Sequence, residues 1–488
     1  MDTGFFAGRE VLVMGLGRFG GGVDAAKFAA EAGAKLIVTD LASSEQLAES
    51  VRQLDGIPAI EYHLGAHDPK DFERADIVIA NPAVAWENEF LEIARRHNSL
   101  VTTQINIFFE LCPATIIGIT GANGKSTTAA LTAHLLRAAA DTSLNTDTKY
   151  ENIWLSGNIG NEPLLTLLDR ISPNDIVVLE LSSFQTEQLE LVRKAPKVAL
   201  LTNLTPNHLD RHGTFEAYCA AKENIFKLQE LNENDPAVSI FNAEDPIACQ
   251  WFEKYKSDAG RLCIRFSADD VSADIRQQFP LPGRANLSNL AAALAVAGLF
   301  DIDDQTMQSC LSQFKALTHR LEFIAEINGV RWYNDSIATT PQSAIAALDA
   351  FEEPKIIIAG GYDKNIGFEE LGRAIGRDAK AAILLGQTAG KIAAAIEDGL
   401  ATENTELTEK KVEVQIADSL AKAVESANHL AIKGDVVLLS PACASYDMFD
   451  NFQQRGREFV ELVRQTGGRF RMARKDATET EKKRARPR

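Results

Sequence analysis

Short apolar runs alternate with longer, Ala- and Leu-rich amphipathic stretches along nearly the whole chain. Runs at 11–14, 36–38, 77–79, 115–119, 176–179, 198–201, 355–359, 381–385 and 436–439 have strand length, whereas the stretches at 129–140, 290–299 and 343–350 have helical length and periodicity. Runs of continuous apolar character suit strands buried on both faces. The alternation therefore predicts an α/β protein, with parallel sheets covered by helices on both sides. No repeat with a period of roughly 20–50 residues is present.

The chain has 488 residues, more than one core accommodates, so two to four domains are expected. One break falls at Cys112-Pro113, before a strand that feeds a Gly-rich loop, and another near Leu317, after an Ala-rich helix. These breaks give domains over 1–113, 114–317 and 318–470. Residues 471–488 are strongly charged and without periodicity, which predicts a disordered tail.

Composition narrows the function classes. Hydrophobic residues make up 45% and charged residues 24% of the chain, as in globular proteins. No apolar run approaches ~18 residues, so no membrane span is expected. Residues 1–20 lack the basic start and clean apolar core of a secretory signal. The six cysteines (Cys112, Cys219, Cys249, Cys263, Cys310 and Cys443) include no CxxC pair. This argues for reduced thiols in the cytoplasm over disulfides or a zinc site. The net charge is −18, which argues against general nucleic-acid binding. Any anionic ligand must be held by local cations and backbone groups.

One motif supplies such groups. The segment Gly118-Ile-Thr-Gly121-Ala122-Asn123-Gly124-Lys125-Ser126-Thr127-Thr128 joins a predicted strand to a predicted helix. That is the context of a phosphate-binding loop, in which inward-turned N–H groups and a helix N-terminus cradle an anion. Lys125 is placed to reach the β- and γ-phosphates and Ser126 to ligate Mg²⁺. No Asn-Lys-x-Asp guanine signature is present, which favours ATP over GTP.

A second glycine turn, Gly15-Leu-Gly17-Arg18-Phe19-Gly20, also joins a strand to a helix, and Asp40 ends the next strand. By itself this fingerprint is compatible with NAD(P) or FAD, with another nucleotide, or with a purely structural turn. Between and after these loops, Glu180 ends a strand beside the phosphate loop, where a Mg²⁺ ligand is expected. The loop after the next strand carries His208 and Asp210 at the same edge of the sheet. Lys222, on a predicted helix, has no distinguishing local feature.

Taken together, the motifs resemble the Mur ligase family of ATP-dependent amino-acid ligases. They are Gly121-Ala-Asn-Gly-Lys-Ser-Thr-Thr128, Asn203-Leu-Thr-Pro-Asn-His-Leu-Asp-Arg211, His319-Arg320, Asn334-Asp335-Ser336, Leu439-Ser-Pro-Ala-Cys-Ala-Ser-Tyr-Asp447, Asn451-Phe452 and Gln454-Arg-Gly456. The similarity runs from about Val11 to Val463. It implies three domains: a Rossmann-like N-terminal domain, a central P-loop ATPase domain with a parallel-rich sheet, and a Rossmann-like C-terminal domain. The implied activity is addition of D-glutamate to UDP-N-acetylmuramoyl-L-alanine in peptidoglycan precursor synthesis, by a monomer using ATP and two Mg²⁺ ions. The glycine turn would then hold UDP and not NAD.

The resemblance also implies residue roles. Gly17, Arg18, Phe19, Asp40, Asn81, Asn158 and Ser182 would serve the UDP-linked substrate. Residues 121–127, Asn286, Asn289, Arg320 and Asp335 would serve ATP. Ser126 and Glu180 would hold one Mg²⁺, and His208 with a carbamate on Lys222 the other. Thr339, Lys364, Ser445 and Phe452 would receive glutamate. The chain departs from the family pattern at Ala285, where a histidine is common, and at Ile337, where a lysine is common. The second departure keeps L-glutamate open as an alternative. An NAD-dependent oxidoreductase using the N-terminal turn is the alternative of another class, and it leaves the phosphate loop without a role.

Overall fold

The computed structural model describes residues 2–18, 20–141, 150–159, 163–300, 302, 304–402 and 412–466. The predicted tail and Phe19 lie outside the described residues. Three sheets account for the strands. The first holds β1 (Glu10–Met14), β2 (Lys35–Asp40), β3 (Glu61–Leu64), β4 (Ile77–Ala80) and β5 (Leu100–Thr103), in the order β3-β2-β1-β4-β5 with every pairing parallel. The second holds β6 (Thr115–Thr120), β7 (Ile153–Gly157), β8 (Ile176–Glu180), β9 (Val198–Leu201), β10 (Ala237–Asn242) and β11 (Arg261–Phe266). Its order is β11-β10-β9-β6-β8-β7, again wholly parallel. Central strands β6, β8 and β9 are buried almost throughout, as their unbroken apolar sequences require.

The third sheet is mixed. It holds β12 (Glu322–Ile327), β13 (Val330–Asn334), β14 (Lys355–Ala359), β15 (Ala379–Leu384), β16 (Glu413–Ile416) and β17 (Val436–Leu439), in the order β12-β13-β17-β14-β15-β16. The β12–β13 pair is antiparallel and all others are parallel. Asn328 and Gly329, both at positive φ (55° and 79°), make the two-residue turn between them. This is the Asn-Gly hairpin signal, and the apolar runs alone did not mark it.

The chain forms two compact units. One comprises Met1–Gln278 and Ser288–Gln313, the other Phe279–Leu287 and Phe314–Arg488. In the first unit a single buried cluster runs from Val11 and Val13 through Ile107 and Phe108 to Leu179, Leu181 and Phe226. The first two sheets therefore share one continuous apolar core. The second unit packs apolar clusters on both faces of the third sheet, around Ile357 and Leu438 on one side and Ile356, Val437 and Trp332 on the other. Among the described residues no helix is long and apolar enough to cross a membrane.

Candidate active site

The phosphate loop is built as its sequence demands. Strand β6 ends at Thr120, residues 121–124 turn, and the helix Lys125–Asp141 begins. Gly121 and Gly124 have φ of 146° and 82°. A Cβ at Gly121 would fall 2.0 Å from Thr202 Oγ1, and one at Gly124 would fall 2.1 Å from Asn289 Oδ1. The segment after β9 braces the loop. Ala122 N–H donates to the Asn203 carbonyl (2.8 Å) and Asn123 N–H to Asn203 Oδ1 (2.9 Å). Thr202 Oγ1 donates to the Asn123 carbonyl (2.6 Å). Lys125 folds back so that Nζ donates to the Ala122 carbonyl (2.9 Å). Ser126 and Thr127 are buried in the first helical turn, and Thr128 Oγ1 donates to Asn289 Oδ1 (3.3 Å).

This bracing gives a direct prediction. A left-handed φ costs an alanine about 1–2 kcal/mol, before any clash with Asn289. Gly124→Ala is expected to lower Tm by roughly 2–8 °C and to weaken the upward shift of Tm that ATP gives the wild-type chain. Thermal melts with and without ATP check both.

Glu180 ends β8, the strand beside β6, and is 2% exposed. Its Oε1 accepts from Asn158 Nδ2 (3.0 Å), and its Oε2 is buried with no hydrogen-bond partner among the described residues. A buried carboxylate oxygen with unused acceptor capacity beside a phosphate loop fits a cation ligand. Lys222 stands on the buried face of the helix Phe215–Lys227, 1% exposed. Its Nζ donates to Thr120 Oγ1 (3.1 Å), and it makes no ion pair among the described residues. Burial, reinforced by repulsion from Lys125, holds its pKa well below the usual lysine range, and Glu180 opposes this only in part.

His208 precedes the short helix Leu209–His212 in a left-handed conformation (φ 52°), and its ring meets that of Phe184 at 5.2 Å. His212 stacks on the same phenylalanine at 5.6 Å and pairs with Ser183 Oγ at 3.0 Å. Burial and the neighbouring cation Arg211 lower its pKa.

A cleft of about 690 Å³ in the first unit is lined by Arg18, Asn81, Asn158, Ser182, Phe184 and His208, among others. It brings five of the residues singled out from sequence to one space. Asp40 is not among its lining residues. Its carboxylate holds the turn from behind, accepting from Gly17 N–H (2.9 Å) and Ala42 N–H (2.8 Å). Asn81 reaches the Gly15 carbonyl through Nδ2 (3.3 Å). Ser182 caps the helix Ser183–Gln188 in a capping box with Gln185, so its hydroxyl already has a structural task.

The second unit gathers the other candidates. Asp335 is buried and accepts from Leu321 N–H (3.0 Å) and Ser440 Oγ (2.8 Å). Burial pushes its carboxyl up to about 7. Ser445 is 2% exposed, and its Oγ has no hydrogen-bond partner among the described residues. The ring of Phe452 lies 6.1 Å from that of His319. Arg320 follows His319, Thr339 is half-buried, and Lys364 is exposed. Arg455, whose motif was legible without a role, is 2% exposed and donates to Ser336 Oγ (3.0 Å) and to the carbonyls of Ser336 (2.8 Å) and Cys443 (3.1 Å). It ties the loop bearing Asp335 to the loop bearing Ser445. The two asparagines expected at the adenine fall in different units, Asn286 in the second and Asn289 in the first. Ala285 is exposed, and Ile337 is half-buried, its N–H on the His319 carbonyl (3.2 Å).

Comparison with known proteins agrees with this geometry. Three family models match in order: the Mur ligase MurD-like N-terminal domain over residues 9–103, the Mur ligase middle domain over 119–297, and the Mur ligase glutamate ligase domain over 319–443. The UDP-N-acetylmuramoylalanine--D-glutamate ligase of Roseiflexus sp. is 37% identical over 483 residues, covering 94% of this chain and 98% of its own. Among solved structures, the UDP-N-acetylmuramate-alanine ligase of Thermotoga maritima shares the fold with a TM-score of 0.57 at 18% identity, covering 94% of this chain and all of its own. A MurF ligase of Thermotoga maritima in complex with ADP shares it with a TM-score of 0.52 at 17% identity, covering 93% and 96%. Three consecutive domain matches and a relative of this identity over nearly its full length place the chain in the Mur ligase family.

Proposed function

We propose that the chain joins D-glutamate to UDP-N-acetylmuramoyl-L-alanine with ATP, as a cytoplasmic monomer. The observation that carries the reading is the meeting, in one unit, of a braced phosphate loop, a buried carboxylate with an open oxygen, and a cleft reached from both the N-terminal glycine turn and Asn158. The division at 113/114 and 317/318 belongs to the same reading; three sheets and three consecutive family matches support it.

A carboxylate is a poor electrophile. The reading has the L-alanyl carboxylate oxygen attack the γ-phosphorus of ATP, expelling ADP and forming an acyl phosphate. The glutamate amine then attacks the acyl carbon, a proton is lost, and the tetrahedral adduct expels inorganic phosphate to leave an amide. No covalent enzyme nucleophile is needed; positioning and charge neutralisation suffice. Lys125 and the N–H groups of 121–127 hold the phosphates, and Asn286, Asn289, Arg320 and Asp335 are the further residues that the Mur ligase resemblance assigns to ATP. The residues fit Mg²⁺: Ser126 and Glu180 would hold one ion and His208 with Lys222 a second, supplying positive charge against the phosphates.

Lys222 fits that role as a carbamate. A buried, uncharged amine can add CO₂, giving N–COO⁻ and releasing one proton, which turns a misplaced cation into a metal ligand. Arg18, Asn81 and Asn158 hold the UDP-linked substrate, with Ser182 in the cleft wall and Asp40 supporting the turn through Gly17 N–H. Thr339, Lys364, Ser445 and Phe452 receive glutamate, and the unpartnered Ser445 hydroxyl suits a ligand carboxylate.

The test is phosphate release from ATP and Mg²⁺ with UDP-N-acetylmuramoyl-L-alanine, comparing D- with L-glutamate. Release that depends on D-glutamate is expected. Release with L-glutamate alone would overturn the stereochemistry, the outcome that Ile337 keeps in play. No release with either would overturn the whole reading.

A further inference from the structure

Asp24 stands in the first turn of the helix Gly21–Glu31, just after the N-terminal glycine turn, and is 6% exposed. That helix takes no side-chain cap from it, and its carboxylate is spent elsewhere. Oδ2 accepts from the main-chain N–H of Leu164 (3.0 Å) and Leu165 (2.7 Å). Oδ1 accepts from Thr166 N–H (3.1 Å) and Thr166 Oγ1 (2.7 Å). Gln104 Nε2 also donates to Oδ2. Three successive main-chain N–H groups converging on one carboxylate make an anion-holding concavity, filled here by a side chain from some 140 residues earlier in the chain.

The held segment belongs to the connection that follows β7. Ser156 Oγ donates to the Pro163 carbonyl (2.6 Å), tying the segment back to the strand. Asp24, Gln104, Asn158, Leu164 and Thr166 all line the cleft of about 690 Å³. One carboxylate thus links the glycine-turn side of the cleft to the Asn158 side.

We infer that Asp24 is a positioning residue for the UDP-linked substrate. It sets the spacing between Arg18 on one side of the cleft and Asn158 with Leu164, Leu165 and Thr166 on the other, so that both parts of one long substrate meet prearranged groups. This rests on the reading of the cleft given above. An amide is no substitute: asparagine offers one acceptor oxygen, and its NH₂ would face donors already in place. Loss of prearrangement falls on the ligand that spans the cleft, not on ATP or glutamate.

Asp24→Asn and Thr166→Val in the full chain test this. In Asp24→Asn the KM for UDP-N-acetylmuramoyl-L-alanine should rise about tenfold or more, with the KM values for ATP and glutamate unchanged. Thr166→Val, which removes one hydroxyl donor and keeps the backbone, should shift the same constant by a smaller factor. Hydrogen exchange at the amides of Leu164, Leu165 and Thr166 should quicken in Asp24→Asn. A folded Asp24→Asn with an unchanged KM for the UDP substrate, or with all three KM values raised alike, would overturn the assignment. If Asp24→Asn does not fold, an unchanged UDP-substrate KM in Thr166→Val does the same. Absence of turnover in the wild-type chain would bring down the functional reading and this inference together, which separates that failure from failure of the inference alone.

Discussion

Lys125→Ala is expected to abolish ATP-dependent phosphate release while leaving the fold intact, a loss of roughly a thousandfold or more in kcat/KM. The side chain lies over the loop it serves, its ammonium on the Ala122 carbonyl, and nothing in the apolar core depends on it. The loop itself is held by Asn203 and Thr202, so its shape survives the truncation. Circular dichroism and the thermal midpoint should match the wild-type chain. Retained turnover in a folded variant would remove the phosphate loop from the chemistry.

Lys222→Ala should lower activity by about a hundredfold or more and recover part of it when formate or acetate is added. A buried ammonium with no paired carboxylate costs several kcal/mol, and Lys222 has only the Thr120 hydroxyl and the face of the Tyr218 ring (5.0 Å) against its ammonium among the described residues. The same burial lowers its pKa and so favours the neutral amine that CO₂ requires. In the alanine variant the vacated volume admits a small carboxylate in place of the carbamate. Lys222→Arg, which stays charged and cannot add CO₂, should be inactive and should not respond to carboxylates. Measuring turnover against carboxylate concentration decides the matter: a flat response in Lys222→Ala would leave the carbamate without support.

The central strands and the phosphate loop were legible because their physics is local. Continuous apolar runs become β6, β8 and β9, and glycines that must adopt positive φ announce the turn at 121–124. Lys222 was also legible in principle. With Tyr218, Ala221 and Ile225 it falls at helical spacing on one buried face, and a lysine on an apolar stripe is the signal that went unread. Asp40 shows the opposite case. Its place at the end of β2 marks a carboxylate for the turn, and the structure adds that it accepts from Gly17 and Ala42 N–H; spacing gives the position of a carboxylate but not what it accepts. Asp24 could not be read at all, because its partners lie some 140 residues away and are mostly backbone groups, which carry no sequence signature. The edge strands β3 and β16 escaped for a related reason: their residues are half-buried or exposed, and neither has the unbroken apolar run that marks a strand buried on both faces.

The brace between Thr128 and Asn289 spans 161 residues of chain, and the path between them leaves the first unit at 279 and re-enters it at 288. At ribosomal speeds of ~5–20 residues per second, the phosphate loop therefore waits roughly 10–30 s after its own synthesis for its last support to emerge. A nascent chain halted before residue 289 should bind nucleotide poorly even with every residue of the loop already made, so competence for ATP arrives late in translation.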